Sequence, residues 1–235
     1  MNIKNVLFDL DGTLLPMDME EFTNGYFAML TQKLAPHGYD PKKLVDVIWA
    51  GTGAMVKNDG SRTNEAAFWA KFAQIFGENA LKDMPLFEEF YGSEFQQAKK
   101  FCGYNPLAAK AVRTIRESGR RVALATNPIF PSVATESRLS WVGLEPSDFE
   151  LCTTYEDCRY CKPNVNYYRD VLDRLDMRPE DCLMVGNDMT EDTAAAELGM
   201  RVFLITDCLI NKEGKDVNAW PHGGFEDLIR FVCGE

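Results

Sequence analysis

Five short apolar runs, several of them rich in β-branched residues, interrupt a chain whose other periodicity is helical. They are Ile3–Phe8, Arg121–Ala125, Phe149–Thr153, Cys182–Val185 and Arg201–Ile205. Each is short and is followed by polar or glycine-containing residues, which is how a strand covered on both faces reads. Between most of them apolar residues recur at helical spacing. Leu107, Ala108, Ala111, Val112 and Ile115 precede Gly119; Tyr167, Tyr168, Val171, Leu172 and Leu175 form a second set; Thr193 to Leu198 makes a short helix closed by Gly199. This alternation predicts an α/β fold, a doubly wound, Rossmann-like parallel sheet. In such sheets ligands gather at the carboxyl ends of the strands, so chemistry is sought among the residues that end each run.

The stretch from Met17 to Lys100 departs from the pattern. It reads as helix over Phe22–Leu34, Pro41–Trp49, Asn64–Phe76 and Leu86–Lys99, and it carries many aromatics. This predicts a helical module inserted after the first strand, with residues 17–96 as the insert and residues 1–16 and 97–235 as the α/β core. Aromatics at helical spacing are read first as packing for that module.

Four strand-end segments carry polar groups suited to phosphoryl chemistry. Val6-Leu7-Phe8 runs into Asp9-Leu10-Asp11-Gly12-Thr13. The strand delivers Asp9 to the sheet edge and Gly12 permits a sharp turn. Two carboxylates this close suit one ionised nucleophile and one proton carrier, and both offer hard oxygens to Mg²⁺. Val122-Ala123-Leu124-Ala125 ends in Thr126 and Asn127, a hydroxyl and an amide able to hold phosphate oxygens. Lys162-Pro163-Asn164 sets a cation at a helix start. Leu183-Met184-Val185-Gly186 runs into Asn187-Asp188-Met189-Thr190-Glu191-Asp192.

In this order the four segments resemble the motifs of the haloacid dehalogenase-like superfamily, phosphatase type, over Ile3–Leu15 and from about Pro106 to Ile205. The resemblance implies that Asp9 attacks phosphorus and forms an aspartyl-phosphate. Asp11 then protonates the leaving oxygen and activates water, Thr126 binds the transferring group, and Lys162 neutralises its charge. It implies Mg²⁺ held by Asp9, the main-chain carbonyl of Asp11 and an acid of the fourth motif. Counted from Gly186, Asn187 takes the usual ligand place; shifted by one, Asp188 does. Asp188 is favoured because Mg²⁺ prefers carboxylate to amide, with Asn187 and Asp192 behind it. Dehalogenating members lack the second acid of the first motif, so Asp11 favours phosphoryl transfer. The helical insert becomes a cap that closes over a small phosphorylated metabolite. Its loop with Lys57, Asn58 and Arg62 is read either as a leaving-group site, with Lys57 and Arg62 binding substrate, or as a solvated connection. The alternatives to a phosphatase are a phosphomutase and a non-catalytic binder.

A net charge of −11 disfavours nucleic acid as a partner. No signal-like or membrane-spanning run is present, which predicts a cytoplasmic protein without membrane contact. Seven cysteines are then expected as thiols. Cys158 and Cys161 form a CxxC, but no second pair or nearby histidine completes a metal tetrad, so incidental thiols are the expectation.

Overall fold

The computed structural model describes residues 3–234. Its centre is a five-stranded parallel sheet, β1 (Asn5–Phe8), β2 (Arg121–Leu124), β3 (Cys182–Gly186), β4 (Arg201–Ile205) and β5 (His222–Gly223), in the order β2-β1-β3-β4-β5. Side chains alternate between two cores, as the two-residue period of a strand requires. Val6 and Phe8 pack with Ala108, Val112 and Phe225. Leu7 packs with Tyr167, Tyr168 and Val171 on the other face. The covering helices are α5 (Pro106–Glu117) and α8 (Phe225–Cys233) on one side and α7 (Val165–Leu175) on the other, with α6 (Ser132–Trp141) beyond β2.

Register decides where the site lies. Phe8 pairs with Leu124 of β2 and with Val185 of β3. Asp9, Ala125-Thr126 and, just past Gly186, Asn187 therefore emerge side by side at the carboxyl edge of the sheet.

Between β1 and α5 the chain is helical: α1 (Met19–Leu34), α2 (Pro41–Val56), α3 (Asn64–Phe76) and α4 (Met84–Gly92), with a 3₁₀ segment over Glu94–Phe101. Side-chain oxygens of Asp18, Asp40 and Thr63 accept from the first-turn amides of α1, α2 and α3, satisfying donors that a helix start leaves free. Phe72, Phe90 and Phe95 are fully buried among these elements.

Two expected elements differ. Phe149–Thr153 is not a strand: it lies along β2 through Glu150 N–H to Val122 O, Leu124 N–H to Leu151 O and Thr153 N–H to Leu124 O, and only Leu124 and Cys152 form a bridge. Beyond that bridge the Thr153 and Tyr167 hydroxyls both donate to the Thr126 carbonyl, at 2.7 and 2.8 Å. The fifth strand is instead the two-residue β5, too short to leave a hydrophobic run. The helix expected over Leu86–Lys99 is split at Ser93, whose backbone leaves the helical region (φ −128°, ψ −84°). No described helix is long and apolar enough to cross a membrane.

Candidate active site

Asp9 follows β1 at the floor of a cavity of about 1010 Å³. Lys162 reaches it from the segment before α7: its Nζ lies 2.9 Å from Asp9 Oδ1 and 2.7 Å from Asp192 Oδ1, with the ammonium side chain wholly buried. The Thr13 hydroxyl is 3.0 Å from Asp9 Oδ2 and 3.1 Å from Asn187 Oδ1. Burial raises the Asp9 carboxyl to about 7; Lys162 pulls it down, while Asp192 and Asp11 push it up. Burial alone pulls the Lys162 ammonium down, but Asp192 and Asp9 more than offset that and hold it well above its ordinary value. Lys162 is therefore a fixed cation shared by two acids.

Asp192 is spent on structure. Its Oδ2 accepts the main-chain N–H of Asn187 and of Asp188, each at 2.9 Å. Gly186 is obligatory beneath it, since a Cβ there would lie 2.0 Å from Asp192 Oδ2. Gly12 combines φ +81° with a side-chain amide 2.2 Å from where its Cβ would sit, that of Asn187. The Asn187 amide also donates to the Cys208 carbonyl at 2.7 Å. The Oδ1 of Asp188 caps the turn after it, accepting from Thr190 and Glu191 N–H at 2.7 and 2.9 Å.

Asp11 is held by a residue the sequence did not mark. Arg138 of α6 is fully buried and donates from Nη1 to Asp11 Oδ2. Its Nε donates to the Ala134 carbonyl at 3.1 Å, and its guanidinium lies 4.3 Å from the centre of the Phe130 ring. Asp11 Oδ1 is buried and has no partner among the described residues. An arginine in a helix reads as solvent-facing, and no motif announced this one. Glu191, inside the acidic cluster but given no role, also lines the cavity; it accepts from the Asn127 amide at 3.0 Å, and burial raises its carboxyl to about 7.

Of the expected site residues, Asp9, Asp11, Thr126, Asn127, Asn187, Asp188 and Asp192 all line this one cavity, and Lys162 touches it through Asp9. Lys57 and Arg62 do not; both are exposed and lie off its lining. Their loop is folded against the core instead. The Asn58 amide bonds Asn64 Oδ1 at 2.9 Å, and Asn64 in turn donates to the carbonyls of Pro128 and Tyr160. A Cβ on Gly60 would collide with the Tyr160 ring. The leaving-group expectation for Lys57 and Arg62 is corrected accordingly: packing of the loop turns their charges to solvent. Cys158 and Cys161 are buried free thiols that burial pushes up to about 12, too high to ionise near neutrality.

No three His, Cys, Asp or Glu side chains form a ready-made metal cage among the described residues. The donors nevertheless fit Mg²⁺, which keeps several waters and needs only one or two carboxylates. Among the described residues, none donates to Asp188 Oδ2 or to the Asp11 carbonyl. The cavity floor also has more carboxylates than cations to balance them.

A parallel sheet with paired aspartates ending its first strand, and with a lysine and a further acidic turn closing on them, defines a class of hydrolase. A family model for haloacid dehalogenase-like hydrolases matches residues 3–199, and the chain belongs to that family. Among curated relatives, a phosphoglycolate phosphatase of Salmonella typhi is 27% identical over 213 residues, covering 84% of this chain and 79% of that one. A pyrophosphatase of Bacillus cereus is 22% identical over 206 residues, covering 88% and 84%. Two solved structures share the fold: a HAD phosphatase from Thermococcus onnurineus (TM-score 0.61, 20% identity, 99% of each chain) and a 2-haloacid dehalogenase from Pseudomonas syringae (TM-score 0.64, 21% identity, 97% of this chain and 99% of that one). The same fold thus serves phosphatases and dehalogenases, and the choice between them rests on site residues.

Proposed function

We propose that this hydrolase is a Mg²⁺-dependent phosphatase that cleaves a small phosphorylated metabolite through an aspartyl-phosphate on Asp9. The observation that carries the reading is the pair of aspartates on one cavity floor. Asp9 is clamped by Lys162 and Thr13, and Asp11 is held by Arg138 with one carboxylate oxygen left without a partner. The relatives named as phosphoglycolate phosphatase and pyrophosphatase support phosphoryl over carbon–halogen chemistry.

In this mechanism the Asp9 carboxylate attacks phosphorus, the bond to the leaving oxygen breaks, and Asp11 gives that oxygen its proton. Water then attacks phosphorus, Asp11 takes the water's proton, and phosphate leaves with Asp9 restored. Thr126 and Lys162 bind the transferring group. Asp9, Asp188 and the Asp11 carbonyl would hold Mg²⁺, which when bound screens the repulsion between carboxylate and phosphate. Residues 17–96 act as a cap over the core of residues 1–16 and 97–235, keeping bulk water from the intermediate.

The test is phosphate release across a panel of phosphomonoesters with Mg²⁺ and with EDTA, plus hydroxylamine trapping during turnover. Release that EDTA abolishes, together with a hydroxamate at Asp9, is the expected result. Full turnover in chelator, or turnover that leaves Asp9 untrapped, overturns the reading.

A further inference from the structure

We propose that the leaving group this site accepts is an uncharged, largely apolar alcohol of about aromatic bulk, and not the small anionic groups that the names of its relatives suggest. The inference rests on the phosphatase reading. It is carried by the wall of the cavity opposite Asp9, where α1 to α4 contribute Phe22, Tyr26, Trp49, Phe68, Trp69 and Tyr91. A volume of about 1010 Å³ is at the upper end of what a whole small-molecule ligand fills, far more than a glycolate needs.

Charge makes the same point. Phosphoglycolate leaves as a carboxylate-bearing alcohol and pyrophosphate as phosphate, so each needs a cation beyond those that bind the transferring group. Lys212 is the one basic side chain on the lining among the described residues. It follows Ile210, which is hydrogen-bonded to Asn187 and Met189, so it stands on the sheet side, next to the fourth-motif acids. Lys162 is already spent on Asp9 and Asp192. The helical wall supplies no cation, and Asp18 and Glu20 at its near end add negative charge. An anionic leaving group would lose its hydration against acids and aromatic faces without a partner.

The wall also fixes how polar the alcohol can be. The Trp69 indole N–H is buried and is directed at the Tyr155 hydroxyl, which also lines the cavity. The Tyr26 and Tyr91 hydroxyls are 2.7 Å apart; one donates to the other, whose own O–H has no acceptor among the described residues. One acceptor, such as an ether, carbonyl or ring nitrogen, on an otherwise apolar group matches this wall.

Four substrates with Mg²⁺ test the inference: 2-phenylethyl phosphate, glycerol 2-phosphate, 2-phosphoglycolate and pyrophosphate. We expect kcat/KM for 2-phenylethyl phosphate to exceed each of the others by about tenfold or more, the gain from burying one phenyl ring. A best rate with phosphoglycolate or pyrophosphate, or parity among the four, overturns the proposal while leaving the phosphatase reading intact. Phosphate release from none of the four or from any wider panel overturns the phosphatase reading itself. Thr52→Lys, which sets a cation on the α2 side of the wall, is the complementary variant. It should lower kcat/KM for 2-phenylethyl phosphate and raise it severalfold for phosphoglycolate, because a lysine chain reaches inward from that wall. No gain with phosphoglycolate in a variant that melts like wild type also counts against the proposal.

Discussion

The floor and the helical wall of the cavity are built on opposite physical principles. The floor buries charge. Asp9, Lys162, Asp192, Asp11 and Arg138 are held in ion pairs and main-chain hydrogen bonds with little room to move. The wall is largely free of charge, an array of aromatic rings such as Phe68 against Trp69 and Tyr26 against Tyr91, with centroids 5.2 and 6.2 Å apart. A buried ion pair tolerates almost no substitution, because removing one partner strands the other, at a cost of about 3–5 kcal/mol. Aromatic packing tolerates volume-conserving change at much lower cost. The difference teaches that the reaction can stay fixed in such a fold while the accepted substrate drifts.

The sharpest way to break this comparison is Asp9→Asn. It should lower turnover by roughly four to six orders of magnitude while the protein still folds, since Lys162 keeps its ion pair with Asp192 and the asparagine fills the same space. Phosphate release near the wild-type rate would show that the floor does not carry the reaction.

Next in size is Arg138→Gln, expected to lower kcat by about a hundredfold, within the range general acid–base catalysis supplies. If Arg138 positions Asp11, the loss should be much larger for 2-phenylethyl phosphate, whose alcohol needs a proton, than for 4-nitrophenyl phosphate, whose phenolate leaves unaided. Arg138→Lys should recover part of it. Equal losses on the two substrates would leave Arg138 with a packing role.

Within the floor, Asp188→Ala should raise the Mg²⁺ concentration for half-maximal activity about tenfold or more, and further than Asn187→Ala does. Titration of activity with Mg²⁺ separates the two, and the reverse order would move the ligand to Asn187.

The smallest effect belongs to the helical insert. The Ser93 hydroxyl and then Lys33 hold the Glu94 carboxyl at about 2, below the ordinary value of 4.5. A carboxyl lowered on folding stabilises the protein above its unfolded value, and that contribution fades as pH falls from about 4.5 through about 2. Glu94 is partly open to water, and solvent screening limits the effect to under about 1 kcal/mol. Urea unfolding of Glu94→Gln beside wild type should show a gap at pH 6 that narrows at pH 3. A gap that does not depend on pH would assign it to something other than this charge.

The sequence by itself determined the α/β alternation, the helical insert and the residues that end β1, β2 and β3. These are local facts: a strand's apolar run and its terminal Asp9, Thr126 or Asn187 are neighbours in the chain, and parallel pairing of short runs brings such ends together. Tertiary structure alone decided what comes from far away. Phe149–Thr153 kept the composition of a strand, but it meets β2 through a single bridge, Leu124 with Cys152. Lys57 and Arg62 had the charge for a substrate loop, but the Asn58–Asn64 contact packed that loop against the core and left both in solvent. Arg138 carried no signal because its partner, Asp11, is 127 residues away, and a buried charge is recognisable only once its counter-charge is in place. The aromatics of the insert read as packing, and many are. Which of them face a void instead depends on how α1 to α4 arch over Asp9, and helical periodicity specifies a helix's apolar face without specifying what that face meets.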